Sequence, residues 1–599
     1  MRNTLTDLFV KHIEEKGLSK KTFFTKEDNT YIPFSINQLL QNIFALIKYF
    51  QKLDLNEEDK VAIISENRVE WVAVDFACMF LKLVSVPVYT SLSNSQIKFI
   101  LQNSESKVCF VSNSLLLEKV LSVKSELNDL REIVVFNKLN VKDDSERDKY
   151  KNDHIENYDT IINTEIKISE AEIILELKNL SSKVSGSDLL TIIYTSGTTG
   201  IPKGVMLTHS NLYHNITACQ KVLTINETDV FLSYLPYSHA YERTAGYYLA
   251  FFSGALIYYA QNIDTIAKQL TEVSPTMVIT VPRLLDKMYN KLMKSGDEMK
   301  NGLQKKIFLW AIEIAHDKKI AKGNLKWKIA DMLVYKKIRA KTGGRIRFFV
   351  TGGGAMNNKT GDFFEKIGIT VLEGYGMTEA SPVISVNPPG KNKYGTVGKP
   401  LDGVKIRLSN ENEILIKGNL VMPGYYKDEK NSREIIIDDW LYTGDIGEID
   451  DDGYLKITDR KKSLIKTSGG KYVAPTQIEE MIERLPYVEN VLVIGNEKMY
   501  VSALIVPEKS ELITYAKKNN IAFDSFTGLL KSNSLLKLIQ KDIDTIQKDL
   551  ANYERVRKFT LLEKSFSIET GELTPTMKIK RKHVEDKFKD EIEKMYLKI

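Results

Sequence analysis

The stretch Tyr194-Thr-Ser-Gly-Thr-Thr-Gly-Ile-Pro-Lys-Gly204 concentrates groups that can hold an anion. Gly197, Gly200 and Gly204 let the backbone turn tightly and lie close to a ligand. Thr195, Ser196, Thr198 and Thr199 add hydroxyls, and Lys203 adds an ammonium. Backbone N–H groups, hydroxyls and an ammonium together make a phosphate cradle. The spacing is not GxxxxGK[ST], because Pro202 stands where the second glycine falls if Gly197 is the first. The plainer alternative is a Gly/Thr-rich surface turn.

Further along, Glu373-Gly374-Tyr375-Gly376-Met377-Thr378-Glu379 approaches GxGxxG but ends in Glu379, so the dinucleotide fingerprint fails. Tyr375 offers a flat face for a base. Thr378 offers a hydroxyl, and Glu379 a carboxylate suited to Mg²⁺ beside phosphates. Gly353, Gly354 and Ala355 follow the apolar run RIRFFV and can bring backbone close to a nucleotide, or form a plain strand-to-helix turn. Asp445 in Tyr442-Thr-Gly-Asp445 and Arg460 in Ile457-Thr-Asp-Arg460 are types that bind ribose hydroxyls. Between them, DDDGYLKI (450–457) predicts a hairpin with an Asp-Gly turn. The segment KKSLIKTSGGKYVAP then reads as a mobile or solvated glycine loop, and Thr574-Pro-Thr-Met-Lys578-Ile-Lys-Arg-Lys as a basic surface run.

These groups need a scaffold. VAIIS (61–65), VSVPVY (84–89), KVCFVSN (107–113) and LLTIIYT (189–195) predict strands, and WVAVDFACMFLKL (71–83) predicts a helix. Strand–helix alternation argues for an α/β sheet. Residues 137–186 are charge-dense and read as a surface insertion or long loop. Beyond residue 460, VENVLVIG and YVSALIVP predict a strand pair, followed by long charged helical patterns such as LLKLIQKDIDTIQKDLANYERV. THSNL, with His209 and Asn211, reads as a helix start. From Thr244 to Ile263 no side chain is charged, about the length of a membrane span. Ser253-Gly254 divides that run into a predicted helix (244–252) and strand (255–260), which argues against a single span.

The chain has 599 residues, enough for more than one core. It is 43% hydrophobic and 27% charged, with a net charge of +6, which permits contact with anionic lipid or phosphate but does not demand nucleic acid. Cys78, Cys109 and Cys219 show neither a disulfide framework nor a CxxC site, so a reducing cytosol is expected. The first residues carry charges throughout and show no signal-peptide pattern. GxSxG and HExxH are absent, and the seven histidines have no metal spacing.

In this order, YTSGTTGIPKG, EGYGMTE, YTGD, ITDRKKSLIKTSGGKYV and TPTMKIKR resemble the phosphate, adenine, ribose, hinge and catalytic-lysine motifs of the adenylate-forming superfamily. That superfamily holds acyl-CoA synthetases, peptide-synthetase adenylation domains and luciferases. The resemblance runs over residues 20–590, and LPYSHAYER (235–243) is similar to the long-chain fatty acid–CoA ligase branch. It implies an α/β fold, with a large domain of layered sheets over 1–459 and a smaller mobile α+β domain over 460–599. It also implies a two-step reaction. A carboxylate attacks the α-phosphate of Mg·ATP to give acyl-AMP, and the thiol of coenzyme A then displaces AMP.

By the same resemblance, Thr195, Ser196, Gly197, Thr198, Thr199, Gly200 and Lys203 would hold the β- and γ-phosphates. Glu379, with Thr195, would bind Mg²⁺. Gly353, Gly354, Ala355 and Glu373 to Thr378 would surround the nucleotide, with Tyr375 stacked on adenine and Asp445 and Arg460 on the ribose. Lys578 would bridge carboxylate and α-phosphate beside His239 and Glu379, and Lys462 would be the hinge. Lys466 and Tyr472 would contact the adenylate, with Ser468, Gly469 and Gly470 moving toward the CoA thiol. Ala240, Tyr241, Arg243 and Gly246 would line the acyl pocket, although some related enzymes carry a gating tryptophan where Arg243 stands. The implied substrates are ATP, a fatty acid and coenzyme A, in the cytoplasm, with any membrane association peripheral. A carrier protein in place of coenzyme A, a reaction stopping at acyl-AMP, a P-loop-type ATPase and a membrane fatty-acid transporter built on 244–263 are the rival readings.

Overall fold

Short, mostly apolar five-residue strands set the first sheet. Lys60–Ile64 and Val84–Val88 pair in parallel, and Val84–Val88 is buried at every position, as expected of a strand covered on both faces. The computed structural model describes residues 2–139, 153–164, 168–195, 202–300, 302–574 and 578–597, and the side chains of residues 263, 297 and 462 fall outside it. The chain divides into two units. One comprises Met1–Ile406, Ile416–Leu441 and Asp450–Leu455, the other Arg407–Leu415, Tyr442–Ile449 and Lys456–Ile599.

The first unit carries two large sheets. In the seven-stranded sheet the order is Ile155–Asn157, Glu132–Val135, Ser106–Val111, Lys60–Ile64, Val84–Val88, Leu189–Thr195 and Lys203–Thr208. All neighbours are parallel except the last pair. The nine-stranded sheet has a parallel centre, built from Lys21–Glu27, Leu256–Tyr259, Val230–Ser233, Met277–Thr280, Phe348–Thr351 and Thr370–Gly376. The helix predicted over 71–83 spans Val69–Phe80 and is buried all round. It stops because Lys82 turns to φ +58°. His209–Leu223 begins at a capping box between Thr208 and Asn211, as THSNL predicts.

The charge-dense stretch is not a loop throughout. Ile155–Asn157 adds a parallel edge strand to Glu132–Val135, and Glu170–Lys183 is a helix capped by Ser169 and Glu172. Ile173, Leu177 and Ser181, four residues apart, bury one face of that helix while its glutamates and lysines stay in water. Ser181 Oγ donates to Asp7 Oδ1 at 2.8 Å, fixing the buried face to the first helix, Leu5–Lys16.

In the second unit, Val488–Ile494 pairs antiparallel with Val501–Pro507, which pairs parallel with Val556–Leu561. Alternate side chains feed two cores. Val491 and Val493 pack with Ile478, Ile539 and Ile543, whereas Leu492 and Ile494 pack with Val584 and Ile592.

Candidate active site

In the first unit the central strands of the large sheet end together, with Thr280, Thr351 and Glu373 in parallel register. Open α/β sheets bind ligands beyond such carboxyl ends. The segment after Val230–Ser233 carries His239, half-buried, whose Nδ1 accepts from the Tyr241 N–H at 3.1 Å. That bond leaves Nε2 as the protonated nitrogen of the neutral ring. Tyr241 donates its hydroxyl to the Val350 carbonyl at 2.9 Å and lies against Gly352. Gly353, at φ +79°, Gly354 and Ala355 are exposed at the end of the next strand. Glu373 is buried, and its Oε1 accepts from the Gly395 N–H at 3.3 Å, so this carboxylate braces a loop. Gly374, Tyr375 and Gly376 form the strand end, paired with Val383–Val386, and Met377 and Thr378 lead into a short turn, Thr378–Ala380. A Cβ on Gly376 would run into the Pro382 carbonyl, so glycine is obligatory there.

Ser196, Gly197, Thr198, Thr199 and Gly200 lie outside the described residues. The strands that carry that loop are described. Thr195 and Lys203 face each other across the antiparallel pair, with Thr195 Oγ1 3.5 Å from the Lys203 carbonyl. Gly204 packs its backbone on Ile192 and Tyr194, where a Cβ would come within 2.8 Å of Ile192 Cγ2. Lys203 Nζ donates to Asn431 Oδ1 at 2.6 Å and sits 4.9 Å above the Tyr425 ring centre. The Tyr425 hydroxyl donates to Glu379 Oε1 at 2.8 Å. One tyrosine therefore joins the predicted phosphate lysine to the predicted Mg²⁺ carboxylate. Burial, then the Glu379 charge, raises its phenol above the ordinary range. Asn431 in turn donates to both oxygens of Asp428 and holds that carboxyl below its usual range. Neither Tyr425 nor Asn431 stands out in the sequence. The one local signal is Gly424, at φ +151°, which lets the chain close on Ser432 so that Ser432 Oγ accepts from the Tyr425 N–H at 2.8 Å.

The predicted acyl pocket requires two corrections. Arg243 does not present its guanidinium to a tunnel. Only 1% of its side chain is exposed, and it pairs with the buried Asp75. It also donates to Tyr248 at 2.9 Å and to Thr191 and Ser85 at 2.8 Å, and lies over the Trp71 ring. A buried charge needs this full set of partners, and the cluster joins two strands of the first sheet to the helix Val69–Phe80. Gly246 does not open a space either. A Cβ there would strike the Glu242 carboxyl, which folds back over it. Glu242 Oε1 accepts from Ser233 Oγ at 2.6 Å, Oε2 has no partner among the described residues, and burial pushes its pKa to about 8. Glu242–Tyr248 is a turn of π-helix, a form often found at functional sites, continued by Leu249–Phe252. Ala240 is buried and Tyr241 half-buried nearby. The helical part of the uncharged run ends before Gly254, φ +75°, and Leu256–Tyr259 follows as a strand; among the described residues no helix is long and apolar enough to cross a membrane.

The second unit holds the other predicted residues. Asp445, buried, accepts from Arg460 Nε at 2.9 Å, while over half of the Arg460 side chain is exposed. The Asp445 N–H is held by Thr443 Oγ1 at 3.1 Å, and Gly444, at φ +72°, donates to Glu413 at 3.0 Å. Lys462 lies in the turn Lys461–Ser463. Lys466 pairs with Tyr472 across a two-strand ribbon, its Nζ 5.8 Å from the ring centre. Ser468, Gly469 and Gly470 form the ribbon tip, and a Cβ on either glycine would meet nothing within 4 Å. Lys578 is exposed; its N–H donates to Thr574 Oγ1 at 3.0 Å and its carbonyl accepts from the Thr574 N–H at 2.8 Å. The three cysteines are free and buried.

The AMP-binding enzyme family profile matches residues 14–426, and the AMP-binding enzyme C-terminal domain matches residues 462–599. The chain belongs to the AMP-binding enzyme family. Among its relatives in this family, the long-chain-fatty-acid–CoA ligase FadD15 of Mycobacterium bovis is 33% identical, over 91% of this chain and 89% of that protein. Long chain acyl-CoA synthetase 7, peroxisomal, of Arabidopsis thaliana is 32% identical over 91% and 79%. Long-chain-fatty-acid–CoA ligase 1 of Cavia porcellus is 30% identical over 99% and 86%. Solved structures share the fold of this AMP-binding enzyme. The adenylation domain of a carboxylate reductase from Mycobacterium chelonae superposes with a TM-score of 0.76 at 22% identity, covering 99% of this chain and 91% of that one. A Mycobacterium tuberculosis fatty acyl CoA synthetase gives 0.62 at 20% identity, covering 98% and 99%.

Proposed function

We propose that this enzyme activates a long-chain fatty acid with ATP and transfers the acyl group to coenzyme A. The observation that carries the reading is Tyr425, which holds Lys203 and Glu379 at the mouth of the Thr195–Lys203 hairpin. The names of the relatives at 30–33% identity support the fatty acyl substrate. In the first step a carboxylate oxygen bonds to the α-phosphorus and the bond to pyrophosphate breaks. In the second, the thiol sulfur bonds to the acyl carbon, the bond to AMP breaks, and the thiol proton leaves to solvent.

Such displacements need positioning and charge neutralisation more than covalent help. Lys203 neutralises the departing phosphates, and Tyr425 keeps it aimed. Glu379 fits a magnesium ion, because it is a half-buried oxygen donor with one oxygen fixed by Tyr425. Mg²⁺ bound there with ATP would neutralise charge on the phosphates. His239 lies beyond the sheet where the carboxylate is to meet ATP, and Tyr375 supplies a face for adenine. In the second unit, Asp445 with Arg460 serves the ribose and Lys578 the reacting carboxylate and α-phosphate. Ser468 to Gly470, with Lys466 and Tyr472, serve the thiol step.

The test is fatty-acid-dependent exchange of pyrophosphate into ATP, followed by AMP release on adding coenzyme A. Exchange with long-chain acids and CoA-dependent AMP release is the expected result. No exchange with any carboxylic acid sinks the reading. Exchange without CoA-dependent release, restored by a carrier protein, reassigns the acceptor.

A further inference from the structure

Arg581 belongs to the basic run that contains Lys578, yet it does not stand out in water as a surface run would. It forms an ion pair with Glu479, and the two side chains are only 24% and 15% exposed. Arg581 Nη1 also donates to the Val493 carbonyl at 2.9 Å, and the Val493 N–H donates to Glu479 Oε1 at 2.7 Å. Val488–Ile494 is an edge strand of its sheet, so the outward backbone groups of Val493 are taken up by this pair rather than by another strand.

Lys578 stands three residues before Arg581. Residues 578–580 run antiparallel to residues 572–574. Leu573 and Ile579 are bridged, the Thr574 N–H donates to the Lys578 carbonyl at 2.8 Å, and the Lys580 N–H donates to the Glu572 carbonyl at 2.8 Å. Holding Arg581 therefore holds the backbone from which the Lys578 side chain extends. Glu479 lies on the helix Pro475–Glu483, three residues after Thr476, so the two share a face. Thr476 Oγ1 donates to Asp459 Oδ1 at 3.2 Å, and Gln477 Nε2 donates to the Thr458 carbonyl at 3.0 Å. These bonds fix the strand end that carries Arg460, the partner of Asp445. The Asp459 carboxyl feels both ends of this assembly: burial raises its pKa, Arg581 opposes the rise and Asp445 adds to it.

We infer that Glu479 and Arg581 are positioning residues for Lys578, and that the helix Pro475–Glu483 sets the spacing between that lysine and the Asp445–Arg460 pair. The chemistry asks for such a spacer. The α-phosphate is esterified to the ribose, so a lysine that neutralises it must stand at a fixed distance from the groups that hold the ribose hydroxyls. A helix of nine residues, latched to the ribose pair's strand at its start and to the lysine's strand one turn later, sets that distance without touching substrate. The inference rests on the adenylation reading of Lys578, Asp445 and Arg460.

The experiment measures the two half-reactions separately in the full chain, as fatty-acid-dependent pyrophosphate exchange and as thioester formation from supplied acyl-AMP. Arg581→Met is expected to lower kcat for exchange roughly 10- to 100-fold, as a displacement of about 1 Å does. KM for ATP and for the fatty acid should stay near wild type, and thioester formation should be unchanged. Arg581→Lys keeps the charge but not the fork that reaches both Glu479 and Val493, and should fall between. In the Lys578→Ala background, Arg581→Met should cost nothing further, because no lysine remains to be positioned. A merely structural arginine would lower exchange again there, and would lower both half-reactions together with the melting temperature. Either result overturns the inference. The double variant Glu479→Gln, Arg581→Met leaves no stranded buried charge, so it reads the same uncoupling if the single variant does not fold. Absence of exchange in the wild-type chain sinks the adenylation reading and this inference with it, whereas exchange that survives Arg581→Met undiminished sinks this inference alone.

Discussion

Tyr425 presents its ring to a cation and its hydroxyl to an anion. Glu379→Gln is expected to reduce pyrophosphate exchange by at least about 100-fold, because a fixed charge beside the phosphates is lost. Tyr425→Phe leaves that charge but frees its orientation. It should raise the Mg²⁺ concentration for half-maximal exchange about tenfold, the usual cost of losing the group that orients a metal ligand. An unchanged Mg²⁺ titration would remove Tyr425 from this role. Glu242 makes a different prediction. Its pKa moves from 4.5 to about 8 by burial. Between those values the unfolded chain gives up a proton that the folded chain keeps, so stability falls as pH rises, by about 1.4 kcal/mol per pH unit, and levels above pH 8. Glu242→Gln removes that slope. Urea unfolding at pH 5, 6, 7 and 8 should show the glutamine variant gaining on the wild type across the series. A constant gap would mean that Glu242 is ionised in the folded state. Residue types and spacing mark Lys203 and Glu379 as candidates, and the structure joins both to Tyr425. Types and spacing could not reveal Tyr425 or the Arg243–Asp75 pair, because each depends on partners distant in sequence, such as Asp75 and Arg243 at 168 positions apart.

At the scale of elements, the strand end Thr370–Gly376 determines where Glu379 stands. Gly376→Ala places a methyl group against the backbone carbonyl of Pro382, which cannot swing aside as a side chain could. The expected cost is about 1–3 kcal/mol, with pyrophosphate exchange falling further than the melting temperature alone explains. Full activity in this variant would show that the turn adapts. Strands that are mostly apolar and carry no charge, such as Val84–Val88 and Leu189–Thr195, were legible because burial on both faces excludes charged side chains from them. The helix Glu170–Lys183 was hidden because only Ile173, Leu177 and Ser181 reach the core, a weak apolar signal amid glutamate and lysine. The run from Thr244 was correctly divided at Gly254, yet its first part coils as a π-helix beginning at Glu242. Hydrophobic pattern alone does not distinguish that hydrogen-bond register.

Across the whole molecule, the groups assigned to the two half-reactions are carried by separate loops of the second unit, Lys578 on one and Ser468 to Gly470 on another. Lys578→Ala is therefore expected to lower acyl-AMP formation by at least about 100-fold while sparing thioester formation from supplied acyl-AMP. Equal loss of both half-reactions would contradict that division. The α/β class and the presence of a smaller α+β unit were readable from strand–helix alternation and its change beyond residue 460. Contributions from Arg407–Leu415 and Tyr442–Ile449 to that unit were not, since they precede its main stretch. The chain passes between the two units five times, at 406/407, 415/416, 441/442, 449/450 and 455/456. A gene cut at codon 459 would strand Asp445, Glu411 and Glu413 on one fragment and Arg460 and Lys461 on the other, parting three ion pairs. A chimera with a relative must exchange all three segments together. This interleaving makes the small unit a poor cassette for recombination and ties its inheritance to that of the larger one.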